Sequence, residues 1–406
     1  MNRIRNRGLQ SKVTSPEKAA SLIRDGMVIG TSGGDASAFP RAFFYALANR
    51  AEGQEKFQIQ LWTSGPIPEE IDGALAGRGL LSRRMGQQSS SPLRKAINQG
   101  KVSFSDLPSG HFPKKIREGR MAGPDVAVIE AMAINEEGFI VPTTSVTDGP
   151  SHVQRADQVI VELNRAYPSL LEGIHDIYIP EPHPHRKPIP IVDTMDRVGT
   201  PYIPVDPRKI SCIIESDNIT SLKESPPELD RDSLEVCRHV VGFLKGEVER
   251  GRLSSTLLPL ELGLGNMAEA VMAELLRCDL GPLEVYTAVI GDGILVLIDA
   301  GRVKGMSVSG LYFSQKGFDR FWKDLKKYKD HILLRPVEIA DCPEVILRLG
   351  VIAINGALEA DIYGHMNSTH LQGSQVITGV GGSGEFAQNG VLSIFMLPSS
   401  RGGGKI

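Results

Sequence analysis

The chain has 406 residues, 41% of them apolar and 23% charged, a length and balance that exclude disordered, collagen-like and coiled-coil classes and suggest two large domains. The net charge of −3 leaves no basic excess for a nucleic-acid or anionic-membrane partner, and no apolar run approaches the roughly 20 residues needed to cross a bilayer. The surplus lies in 43 Gly and 26 Pro, as expected where strand-to-helix turns bring main chain close to ligands.

Ser15 is placed to cap a helix starting at Pro16, with Ala19, Ala20, Leu22 and Ile23 as its apolar face up to Gly26. Residues 27–30 read as a buried strand that breaks into the glycine turn 31–35, and a helix follows over 41–50 with Phe43, Phe44 and Leu47 on one side. Strands are predicted at 57–63, 125–131, 139–145, 158–164 and 209–215. The Pro- and His-rich stretch 179–190 suits neither helix nor central strand, and its His183 and His185 lack a third ligand at metal spacing, so it reads as a surface loop. The polar segment 217–232 is the expected linker, dividing an N-terminal α/β domain (1–216) from a C-terminal one (233–406).

Leu234, Cys237, Val240, Val241, Leu244 and Val248 then form one stripe of a long helix. Strand and turn are predicted over 256–266, helix over 266–278, strand and turn over 283–293, and further strands at 307–311, 351–355 and 392–397. The expected fold class is therefore α/β, two domains with open, mainly parallel sheets. Cys212, Cys237, Cys278 and Cys342 are too scattered for zinc spacing and read as reduced thiols of a cytoplasmic protein with no bound metal.

Such sheets bind ligands beyond the carboxyl ends of their strands, so the glycine turns after strands are the places where chemistry is expected. Four qualify: 30–35, the turn Gly263-Leu264-Gly265-Asn266-Met267 at a helix start, the cluster 379–384, and the tail 401–405. None is a Walker loop, a complete dinucleotide fingerprint or a serine nucleophile elbow.

The segments RIRNRGLQSKV, VIGTSG, LEGIHDIY, LLPLELGLGNMAEAV, ILRLGVIAINGALEADIYGHMNST and GVGGSGEF, in that order, resemble those of the acetyl-CoA hydrolase/transferase family of class I CoA-transferases. The resemblance accounts for the Arg-rich start as the family's own N-terminus rather than a transit peptide. It implies thioester chemistry on acetyl- or succinyl-type acyl-CoA, with coenzyme A and a small carboxylate as substrates and no tightly bound cofactor. A glutamate there attacks the thioester, and a glutamyl-CoA thioester carries CoA to the second acid. By position, residues 263–267 and Thr378 are similar to the CoA-binding parts, and Gly382 to a glycine against CoA and the oxyanion.

Several positions depart from the family pattern. Ala288 stands where the resemblance places the nucleophilic glutamate, and Asp341 where it places an asparagine, adding a negative charge expected to oppose anhydride formation. Gly402 replaces a lysine near the CoA phosphates, with Lys405 close by, and the family continues beyond the point where this chain ends. Glu284 shares the predicted strand of Ala288 but lies roughly 13 Å away. Glu261 and Glu385 flank the glycine turns and read as a surface or helix-start carboxylate rather than as replacements. The resemblance thus implies either an active CoA-transferase or acetyl-CoA hydrolase, or a non-catalytic CoA-binding homologue. Assembly as a homodimer, or with a competent paralogue, is expected.

Overall fold

The computed structural model describes residues 3–33, 38–51, 56–184, 186–217 and 231–397. Two parallel sheets organise them. The first runs in the spatial order Val13–Thr14, Ile210–Ser216, Gln158–Asn164, Val126–Ile134, Val28–Thr31, Ile59–Trp62, Leu81–Met85 and Ser103–Ser105, with Ile140–Pro142 antiparallel on the end of Val126–Ile134. The second runs Ile332–Leu334, Val303–Val308, Leu283–Tyr286, Leu260–Leu262, Ile352–Gly356 and Leu392–Met396, every pair parallel.

Parallel strands are covered on both faces, which is why Val126–Ile134 is buried at every position. One continuous apolar core runs from Ile129 and Val161 in the first sheet to Val285, Phe313 and Ile354 around the second. The helix Arg231–Glu249 lays Cys237, Val240, Val241 and Leu244 against the helix Asn266–Leu276, whose own buried face is Ala268, Val271, Met272 and Leu275.

The helix over 41–50 is observed as Arg41–Arg50, though its start carries no side-chain cap of its own. Buried Glu162 from the neighbouring strand instead accepts the free N–H groups of Ala42 (3.2 Å) and Phe43 (3.0 Å), a carboxylate at the positive end of the helix. Ser15 does cap its helix, accepting from the Lys18 N–H, but the helix stops at Ala20.

Three predicted strands change form, the first being 307–311, which divides between Val303–Val308 and Gly310–Leu311. The stretch 139–145 shortens to Ile140–Pro142. The stretch 283–293 is broken: Leu283–Tyr286 belongs to the main sheet, while Val289–Ile290 leaves it to pair with Gly310–Leu311. Glu284 and Ala288 are therefore not on one strand, and Glu284 bonds Lys304 and Thr194 instead. The stretch 179–190 carries no helix or strand; His183 meets Glu118 at 3.1 Å, and Ile189 is buried. His185 and residues 218–230 of the expected linker lie outside the described residues.

Candidate active site

The carboxyl ends of both sheets face a shared cleft of about 570 Å³. From the first half come Ser64, Gly65 and Pro66 after Ile59–Trp62, Gln87 after Leu81–Met85, and Thr147. From the second come Glu261 within Leu260–Leu262, Gly263 and Leu264 after it, Ala288 after Leu283–Tyr286, Ser309, and Asn355 at the end of Ile352–Gly356. A comparable hollow at Asp25, Phe57 and Arg78 opens at the amino ends of the strands, the wrong end for a ligand of an open α/β sheet.

Of the residues singled out from sequence, Gly263, Leu264, Met267, Ala288, Thr378 and Gly382 line this cleft together. Gly265 and Asn266 belong to the same turn but lie outside its lining; Gly265 takes φ 108°, which lets the chain swing from strand into helix. Gly402 and Lys405 lie outside the described residues. Of the turn after residue 30, the described residues 30–33 do not line the cleft, and Gly34 and Asp35 are outside the described residues; Gly30 lies so close to His152 that a Cβ would sit 2.3 Å from Nδ1. This glycine serves packing.

The strand-end position of Ala288 is well fixed. Its carbonyl accepts the Ser309 N–H at 2.7 Å, and Thr287 donates to the Leu262 carbonyl at 3.3 Å. The opposite wall is the glycine cluster, held across the first sheet: Val380 N–H donates to Asp106 at 2.6 Å, the Gly381 carbonyl accepts from Ser109, and Thr378 donates to the Gln88 carbonyl. Gly379 comes so close to Gln87 that a Cβ would lie 2.6 Å from its Cα. The glycines here bring two pieces of main chain together and leave the cleft open between them.

At and beneath this cleft lie three buried acids, Asp341, which the resemblance places in the site, and Glu261 and Glu385, which read from sequence as surface or helix-start groups. Glu261 and Glu385 are each 4% exposed and Asp341 is fully buried. Glu261 accepts from Asn355 Nδ2 at 2.7 Å, yet burial outweighs that bond and pushes its carboxyl up to about 8. Burial likewise pushes Glu385 up to about 8. Asp341 has no hydrogen-bond partner at either oxygen, and burial, Glu385 and Glu261 together hold it well above the usual carboxylate range. The negative charge expected at Asp341 thus meets surroundings that disfavour it.

Glu261 and Glu385 are likewise not surface groups. A readable signal for Glu261 was its place between two leucines in a short strand, where a side chain is buried whichever face it takes. Thr147 and Ser309 were not foreseen. Both are buried, line the cleft and leave their hydroxyls without a partner, and Thr147 takes φ 43°, an unusual backbone for a β-branched residue. Among the described residues no group of three or more His, Cys, Asp or Glu side chains could hold a metal ion, and no helix is long and apolar enough to cross a membrane.

Comparison with known proteins gives the following. The family model "Acetyl-CoA hydrolase/transferase N-terminal domain" matches residues 1–215, and "Acetyl-CoA hydrolase/transferase C-terminal domain" matches 317–406, so the C-terminal family domain is present. The chain is 40% identical to a succinyl-CoA:acetate CoA-transferase of Clostridium kluyveri over 98% of its own length and 74% of that protein's. It is 39% identical to an acetyl-CoA hydrolase of Schizosaccharomyces pombe over 98% and 78%. Among solved structures, RipA from Yersinia pestis superposes with a TM-score of 0.70 at 20% identity, covering 98% of this chain and 84% of that one.

Proposed function

Because the chain belongs to the acetyl-CoA hydrolase/transferase family, we propose that its cleft binds a short-chain acyl-CoA with the thioester between the strand ends at Gly263 and Ala288 and the helix start at Gly382. The observation that carries this reading is the cleft itself: glycine turns from opposite walls enclose a space at the strand ends where a thioester can be held. Gly263, Leu264, Met267 and Thr378 are the proposed CoA contacts. The pantetheine would follow the apolar rim at Leu264, which is 41% exposed.

CoA transfer of the family's kind needs a carboxylate that carries acyl group and CoA in turn. With Ala288 at the proposed nucleophile position, we assign this chain the hydrolytic branch: the acyl group passes to water and not to a second acid. Calorimetry with CoA and acetyl-CoA tests the binding reading. Binding of both is expected, and failure to bind either sinks it. Incubation with acetyl-CoA and succinate should give no succinyl-CoA, whereas Ala288→Glu should give succinyl-CoA and a hydroxylamine-sensitive protein adduct.

A second reading is favoured by Ala288 itself: a non-catalytic CoA-binding homologue that pairs with an active partner. Mass measurement of the complex from its source, alongside a thiol-release assay, separates the two. A hetero-oligomer of a chain with no turnover supports the second, and a homodimer that releases thiol supports the first. A cytoplasmic setting accords with four free cysteines, of which three are buried.

A further inference from the structure

Among the described residues that line the cleft, Glu261 is the sole ionisable side chain. Its strand pairs in parallel with Leu283–Tyr286, Leu260 opposite Val285, and Ala288 lies two residues past the end of that neighbouring strand. Glu261 and Ala288 line the same cleft from these adjacent elements. A carboxyl at 261 therefore shares the space left by the small side chain at 288, where a bound water can lie between it and a thioester.

Independent groups mark the same space as polar: the partnerless hydroxyls of Thr147 and Ser309, each more than nine-tenths buried, line it as well. Asn355 orients Glu261 through the bond to Oε2.

We propose that Glu261 is the proton acceptor for a water that hydrolyses the bound thioester, an assignment that rests on the acyl-CoA reading above. The water oxygen bonds to the thioester carbonyl carbon as its proton passes to the Glu261 carboxylate. The tetrahedral oxyanion collapses, the C–S bond breaks, and the proton moves from Glu261 to the departing CoA sulfur. The products are a carboxylic acid and the CoA thiol, and Glu261 is returned ionised.

The titratable group beside Glu261 is Asp341, from the turn after Val337–Ala340, and behind it come Glu385, from Ser383–Asn389, and Asp106 of the first half. All are acids. No cation lines the cleft among the described residues, so nothing there draws the proton off Glu261 at neutral pH. With its carboxyl at about 8, the ionised share is about a tenth at pH 7 and grows through pH 8.

Thiol release from acetyl-CoA, followed between about pH 6 and 9 on the full chain, tests the role, with calorimetry for CoA and hydroxylamine trapping alongside. The wild-type rate should rise nearly tenfold per pH unit and level off above about pH 8. Glu261→Gln keeps the Asn355 bond, and should keep CoA binding while losing about 10²–10⁴ in kcat. Asn355→Asp adds a carboxyl beside Glu261 and should move the profile to higher pH, which tests the assignment even if the Gln variant does not fold.

A wild type that binds CoA but releases no thiol, a flat pH profile, a Gln variant as fast as wild type, or a hydroxylamine-sensitive adduct at Glu261 would each overturn the proton-acceptor role. Absence of CoA binding altogether would instead bring down the reading on which it rests.

Discussion

A Cβ on Gly382 would lie 2.3 Å from Asp341 Oδ2 and 3.0 Å from its Cγ, closer than two atoms can approach. The obstacle is a side chain, so the cost of Gly382→Ala depends on Asp341 alone. Overpacking of this kind costs about 1–3 kcal/mol. Gly382→Ala should lower stability by that amount and weaken CoA binding, because relief of the clash moves the cleft wall. In the double variant with Asp341→Ala the clash is gone and most of the loss should be recovered. Thermal unfolding of the four proteins in the cycle checks this, and strictly additive losses would show that the two positions do not meet. The same pair shows what sequence could and could not reveal. That Gly382 lies on the cleft follows from a glycine cluster after a strand. That the Asp341 carboxyl is held well above its usual range does not, because this is set by burial and by Glu385 and Glu261, residues distant in the chain.

Among the elements, those with local signals were legible and those held by distant partners were not. Arg41–Arg50 and Gln158–Asn164 were predicted to within a residue because their apolar spacing stands in the segment itself. Leu81–Met85 was missed because it carries Arg83 and Arg84; fully buried Arg84 pairs with Asp72 at 3.2 Å and donates to the Met85 and Gln87 carbonyls. The connection from Gln158–Asn164 to Ile210–Ser216 is a larger case. Its Asp176 accepts the Val198 and Gly199 N–H groups at 3.0 and 2.7 Å and pairs with Arg335, 159 residues away and completely buried. Arg335 also donates to Ser307 at 3.0 Å and to the Asp196 carbonyl, so one guanidinium locks this irregular stretch onto the second sheet. Asp176→Ala strands that charge and should cost about 3–5 kcal/mol in chemical denaturation. Asp176→Asn keeps acceptor capacity for the two N–H groups and should cost less. A loss under about 1 kcal/mol for the alanine variant would mean that the connection is held by its apolar residues, Ile174, Ile177 and Ile189, and not by the ion pair.

For the molecule as a whole, the buried acids tie stability to pH in a direction opposite to the usual one. Glu261 and Glu385 titrate in the fold at about 8, and Glu130, buried among Thr143, Asn164 and Tyr167, at about 7, against an ordinary value of 4.5. A carboxyl whose folded pKa is raised stabilises the fold fully below pH 4.5, and that contribution is lost as pH rises through the folded value. Each such group contributes a slope of about 1.4 kcal/mol per pH unit within its window. His175 acts in the other sense. Buried against Thr143, it is pushed down to about 4 from 6.5, so it costs stability as pH falls from 6.5 toward 4 and offsets part of the carboxylate effect there. Between pH 6.5 and 8 nothing among these groups opposes the acids, and Tm should fall steadily across that range. Glu130→Gln, outside the cleft lining and able to keep bonds to its neighbours, should flatten the part of the decline below about pH 7 and leave thiol release from acetyl-CoA unchanged. Asp341→Asn should act on the cleft acids instead, by removing a coupled carboxyl beside Glu261. If hydrolysis requires Glu261 ionised, activity rises over the same pH interval in which the fold weakens, and bound acyl-CoA should raise Tm most where the free protein is least stable. A Tm that holds constant or climbs from pH 6.5 to about 8.5 would show that the acids ionise without strain, and that the cleft floor is more hydrated than its burial indicates.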